Sequence, residues 1–107
     1  MSDLPSQPVP DAELLRAHAK KACSLLKTLA NEDRLLLLCA LGGAQKNVGE
    51  LEDLTGITQP TLSQQLGVLR HEGIVETEKK GKYVYYSLSD GHALRLIDTL
   101  CEIYCAP

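Results

Sequence analysis

The sequence predicts a mainly α-helical domain carrying one β-hairpin, in the order helix, helix, short helix, helix, hairpin, helix. Three observations predict it. Leucine-rich segments with apolar residues three and four apart recur along the chain and give way only once, after Gly73, to alternating spacing. Glycines at 42–43, 56 and 73 fall where helical patterns stop. With 107 residues, 44% of them hydrophobic, the chain has room for one domain and one modest core. That core has neither Trp nor Phe to draw on, so Leu, Ile, Val and Ala must build it, and a second copy of the chain would help to cover it.

Residues 1–10 contain Pro5, Pro8 and Pro10 among small polar neighbours, a composition suited to a flexible arm rather than a helix. The domain proper is expected over 11–107. From Asp11 to Leu29 the residues Leu14, Leu15, Ala19, Ala22, Leu25, Leu26 and Leu29 mark a first helix. Its broad apolar band implies packing on more than one neighbour. Asn31 suits the N-cap of a second helix, with Glu32 and Asp33 in its positive first turn. Leu35 to Leu41 then runs almost without a polar break, as in a buried helix ended by Gly42-Gly43. A short third helix is expected from about Val48 to Leu54, with Val48, Leu51 and Leu54 on one face and Gly56 as its stop.

Thr58 can cap a fourth helix that tolerates Pro60 near its start, where a missing amide proton costs nothing. Leu62, Leu66 and Leu69 form its inner stripe. After Gly73, Ile74, Val75 and Thr77 lead into a Lys79-Lys80-Gly81-Lys82 turn, and Tyr83, Val84, Tyr85, Tyr86 and Leu88 return. Ser89 or Asp90 can cap a last helix from about Gly91 to Cys105, which is too apolar all round for the surface of a lone chain.

The net charge of −3 gives no overall hint of nucleic acid, so charge must be read locally. No acidic residue occurs from Thr58 to Arg70. The outer face of the fourth helix offers Gln59, Thr61, Ser63, Gln64 and Arg70, and the hairpin tip offers Lys79, Lys80 and Lys82. This order is that of a winged helix-turn-helix, in which the fourth helix enters the major groove and the wing touches phosphates beside it. A carboxamide such as that of Gln59 or Gln64 can pair bidentately with adenine, and Thr61 and Ser63 can bond base edges or phosphates. The lysines supply sequence-blind, salt-dependent attraction. Each feature alone is also what an ordinary solvated surface presents; their joint occurrence favours double-stranded DNA. A winged helix serving only as a protein-interaction module is the competing class.

No apolar run reaches the roughly 18 residues of a membrane span, and MSDLPSQPVPDAELL lacks the regions of a signal peptide. The cytoplasm is the expected compartment, with no membrane partner. Four cysteines in a reducing compartment point to packing, metal ligation or redox chemistry rather than structural disulfides. A thiol oxidoreductase would want Cys-x-x-Cys in a thioredoxin-like pattern, which is lacking; no enzyme activity and no cofactor are expected.

The stretch LLKTLANEDRLLLLCAL, followed by VGELEDLTGITQPTLSQQLGVLRHEGIVETEKKGKYVYYSLSD, resembles the ArsR/SmtB family of winged-helix repressors over nearly the whole chain. The resemblance implies a homodimer through the first and last helices, operator binding without effector, and release when effector binds. Metal-sensing members carry a Cys-x-Cys in the third helix, where this chain has VGELEDL. An interhelical zinc site of the family is half imitated by Asp90 and His92, but Ile103 and Ala106 stand where its second half would fall, and no metal site is expected there. Cys39 and Cys105, with the final IYCAP, are similar to the BigR/SqrR branch that responds to sulfide and persulfide. That branch implies that Cys39 and Cys105 are the switch and that reactive sulfur species are the effector. Two alternatives stay open. Cys39 inside LLLLCAL is also a plausible small core residue, and Cys39, Cys101 and Cys105 together suit arsenite or another soft ion. Cys101 and Cys23 are secondary candidates for the switch. Cys105, near a helix C-terminus, faces the negative end of the helix dipole, which opposes thiolate formation, so the attacking thiol is not fixed by sequence.

Overall fold

The computed structural model describes residues 11–104; the expected arm at 1–10 and Cys105 lie outside them. Helix α1 (Ala12–Leu29) starts at Asp11, whose carboxylate accepts the Leu14 amide at 2.9 Å. The helix is exposed along most of its length and buries only Thr28 and Leu29. Within the chain it packs chiefly on the helix that follows it, and Leu14, Leu15 and Leu26 stay open to solvent. The projecting helix shows in a radius of gyration of 16.6 Å, against roughly 13 Å for a compact chain of about 100 residues.

Asn31 caps α2 (Glu32–Ala40) by accepting the Arg34 amide. α2 packs on α1, α3, α4 and α5, with Leu37 and Leu38 fully buried. It is not buried all round as its leucine run suggested, because Leu36 and Cys39 lie on a face the chain leaves open. A two-residue strand, β1 (Lys46–Asn47), comes next and was not foreseen. Asn47 then begins α3 (Val48–Thr55) through a capping box with Glu50. Gly56 closes α3 at φ +74°, a left-handed position that suits glycine. Of the three residues placed on its inner face, Leu51 is buried and Leu54 is 60% exposed. A spacing of three falls short of the 3.6-residue turn by about 60° per step, so Val48, Leu51 and Leu54 walk around the helix and only the middle one points fully inward.

Helix α4 (Thr61–His71) buries Leu62, Leu66 and Leu69 as predicted. Its start differs from the expectation. Pro60 occupies the N-cap position with no side-chain cap, and the Thr58 carbonyl rather than its hydroxyl accepts the Leu62 amide. Gln59 contributes instead, its Oε1 accepting the Ser63 amide at 3.1 Å. Strands β2 (Val75–Lys80) and β3 (Tyr83–Leu88) pair antiparallel from Val75↔Leu88 to Lys80↔Tyr83. The turn is thus Gly81-Lys82 alone, with Gly81 at φ +64°, the positive-φ geometry of two-residue hairpins. Lys79 and Lys80, expected in the turn, are the last residues of β2. β1 pairs with the other edge of β3, giving the order β1-β3-β2. Asp90 caps α5 (Gly91–Tyr104), accepting the His92 and Ala93 amides, while Ser89 Oγ donates to the Gly73 carbonyl. Ala93 and Ile97 carry α5 into the core. No helix among the described residues is long and apolar enough to cross a membrane.

Candidate nucleic-acid interface and thiol pair

The inner leucine stripe fixes which face α4 turns outward. Ser63, Gln64 and Arg70 are exposed there and Thr61 is half-buried. Gln59 is exposed at the entrance to the helix, but its carbonyl oxygen is engaged with the Ser63 amide, which leaves its NH2 group for a partner. The open N-terminal turn carries no acidic side chain, so nothing there opposes a phosphate.

On the wing, Lys79, Lys80 and Lys82 are exposed. Lys80 Nζ lies 5.6 Å from the Tyr85 ring centroid and Lys82 Nζ 5.5 Å from that of Tyr83. Such exposed cation–π contacts hold a side chain with about 0.5–1 kcal/mol. Lys80 also faces Glu78 at 3.8 Å, a solvated pair that contributes little. The wing is thus a basic tip braced by tyrosine rings.

Behind α4 stands an arrangement the sequence reading missed. Arg34 Nε donates to the Thr28 carbonyl at 2.6 Å and Nη2 to the Lys27 carbonyl at 3.4 Å, at the end of α1. Its Nη1 donates to Gln65 Oε1 at 2.9 Å, on α4. One guanidinium thereby ties the projecting helix to the helix that presents Gln64. The only sequence signal was a basic residue between the acidic first turn and the leucine run of α2.

The structure brings Cys39, exposed near the end of α2, to Cys101, half-buried on α5, with 3.9 Å between the sulfurs. That is nearly twice the roughly 2.05 Å of a disulfide bond. Cys39 borders a surface hollow of about 460 Å³ together with Leu36, Lys46 and Leu54. Cys23 is exposed on α1. No group of three metal donors occurs among the described residues. Asp90 is a cap, with His92 Nδ1 3.7 Å from its carboxylate. An apolar cleft of about 280 Å³ runs between Leu26 and Leu29 of α1, Leu35 of α2, and Leu96 and Leu100 of α5.

A helix-turn-helix with a neutral and basic hydrogen-bonding outer helix and a lysine-tipped hairpin beside it defines a winged-helix DNA-binding regulator. The comparisons with known proteins agree. The family model for "bacterial regulatory protein, arsR family" matches residues 31–77. The biofilm growth-associated repressor of Agrobacterium fabrum is 48% identical over 105 residues, covering 98% of this chain and 87% of that protein. The crystal structure of the transcriptional repressor BigR from Xylella fastidiosa superposes with a TM-score of 0.82 at 46% identity, covering 92% of this chain and all of that one. Reduced HlyU from Vibrio cholerae superposes with a TM-score of 0.84 at 38% identity, over 88% of this chain and 99% of the other. The chain belongs to the ArsR family of bacterial transcriptional regulators, and it is a DNA-binding protein rather than an enzyme.

Proposed function

We propose that this chain is a homodimeric, cytoplasmic repressor that holds operator DNA while its thiols are reduced and releases it when reactive sulfur species bridge Cys39 and Cys105. The observation that carries the reading is the meeting of α2 and α5 at sulfur, where an exposed Cys39 lies against the cysteine-bearing end of α5. α2 also packs directly on α4, so a bond that fixes α2 to α5 bears on the position of the recognition helix. Similarity to two named repressors supports the direction of control. The exposed leucines of α1 and the cleft beside α5 supply the apolar surface for a second copy.

The chemistry balances with a persulfide as oxidant. Two thiols and two persulfides give a trisulfide bridge, two thiols of the carrier and one hydrogen sulfide. Cys39→Ser and Cys105→Ser should each bind operator normally when reduced and keep that affinity after glutathione persulfide, while the parent protein loses about tenfold or more. Release from either variant at the parent's level removes the assignment.

The DNA face makes its own prediction. Replacing Gln64 by Ala should lower operator affinity by about 1–3 kcal/mol per contact with adenine. Replacing Lys80 by Ala should lower affinity for all sequences and flatten the salt dependence by about one unit of slope. A double variant that binds operator as tightly as its parent in a salt titration would show that this face does not read DNA.

A second reading has one observation in its favour. Sulfur ligands about 2.3 Å from a tetrahedral ion stand about 3.8 Å apart, close to the 3.9 Å between Cys39 and Cys101. With Cys105 as third thiolate the same corner would take arsenite or another soft ion, and release by arsenite without any sulfur adduct would select it.

A further inference from the structure

The bridge just described leaves Cys101 unused, yet among the described residues Cys101 is a thiol of α5 that stands against Cys39. We propose that Cys39 and Cys101 form a direct disulfide, a second oxidation product of this corner, made by hydroperoxide-class oxidants that carry no transferable sulfur. The inference rests on the reading of Cys39 as a working thiol and adds to it a separate partner and a separate class of oxidant.

Geometry favours the pairing. The sulfurs are 3.9 Å apart, so each has to move by about 1 Å to reach bonding distance. The helices that carry them already pack together, which holds the pair at high effective concentration. The two cysteines are 62 positions apart along the chain, and the fold has already closed that loop.

Exposure divides the roles. Cys39 is exposed and borders the open hollow beside Lys46 and Leu54, whereas Cys101 is half-buried. Cys39 therefore meets the oxidant. Its thiolate attacks the O–O bond of hydrogen peroxide, becomes a sulfenic acid and releases one water. Cys101 sulfur then attacks the sulfenic sulfur, forming the S–S bond, and the hydroxyl leaves with a proton as the second water. The two thiols lose two electrons and two hydrogens, and the peroxide is reduced to two waters. Sulfenic acids condense with an adjacent thiol in this way.

The test uses the full-length dimer carrying Cys105→Ser or Cys101→Ser, each reduced and then treated with hydrogen peroxide, followed by alkylation and peptide mass mapping. The Cys105→Ser protein keeps both proposed partners unaltered, so its positive result does not depend on tolerance of a change in the core. It should lose two hydrogens and yield a linked Cys39–Cys101 peptide at the parent's rate. The Cys101→Ser protein should form any bridge at least about tenfold more slowly. Over-oxidation of Cys39 without a linked peptide in the Cys105→Ser protein overturns the proposal, as does bridging at the parent's rate in the Cys101→Ser protein. A parallel treatment with glutathione persulfide keeps the two ideas apart. Failure of the parent protein to release operator there sinks the persulfide reading alone, because the peroxide result is scored on the peptide linkage.

Discussion

Replacing Arg34 with alanine is expected to lower the melting temperature by about 8–16 °C and to weaken operator binding although Arg34 touches no DNA-facing side chain. Three donors of one guanidinium are lost, the two shorter bonds running 2.6 Å to the Thr28 carbonyl and 2.9 Å to Gln65 Oε1. Bonds from a charged donor contribute about 1.5–3 kcal/mol each, but this side chain is only half-buried and water replaces part of what is removed. A net cost of about 2 kcal/mol follows, and each kcal/mol moves the melting point of a domain this size by about 4–8 °C. Thermal melts and operator titrations of the same sample decide it. Arg34→Lys is the informative companion, since it keeps the charge and loses the planar fork; it should recover less than half of the loss. A shift under about 3 °C for Arg34→Ala would show that the clamp is solvated rather than structural.

Leu62→Ala should be costlier still, at about 2–5 kcal/mol. Leu62 is fully buried in the first turn of α4, so truncation leaves a void under the end of the helix that carries Ser63 and Gln64. Against a total stability of about 5–15 kcal/mol, one such change removes a large share, and chemical denaturation should show an earlier midpoint with an unchanged slope. Leu54→Ala, on a side chain that is 60% exposed, should stay within about 0.5 kcal/mol. Equal losses at the two positions would contradict the burial pattern described above.

The helices were legible in the sequence because each repeats its apolar residues over several turns, and the hairpin because its alternation lasts long enough to differ from them. β1 was not, since two residues cannot display a period and their partners, Tyr86 and Tyr85, lie some forty positions away. The start of α4 was misplaced because Thr58 has the chemistry of a cap, whereas the fold uses its backbone carbonyl and the side chain of Gln59. The outward residues of α4 could be listed from residue type alone. Arg34 could not, because its function depends on Gln65, 31 positions later. Cys101 ranked second in the sequence reading because the family resemblance points to Cys105, and only three-dimensional proximity sets Cys101 beside Cys39.

The short strand β1 has a mechanical consequence. It grips the open side of β3 and passes through Asn47 straight into α3, so the wing is hydrogen-bonded through β3 to the unit that carries the recognition helix, while β2 forms the outer edge and follows α4 after a short turn. A hairpin held only by its own two stems has no such tie; the pairing with β1 couples this one to α3 as well. On the proposed dimeric switch, chemistry at the α2–α5 corner would be felt by DNA as a change of angle between two such units.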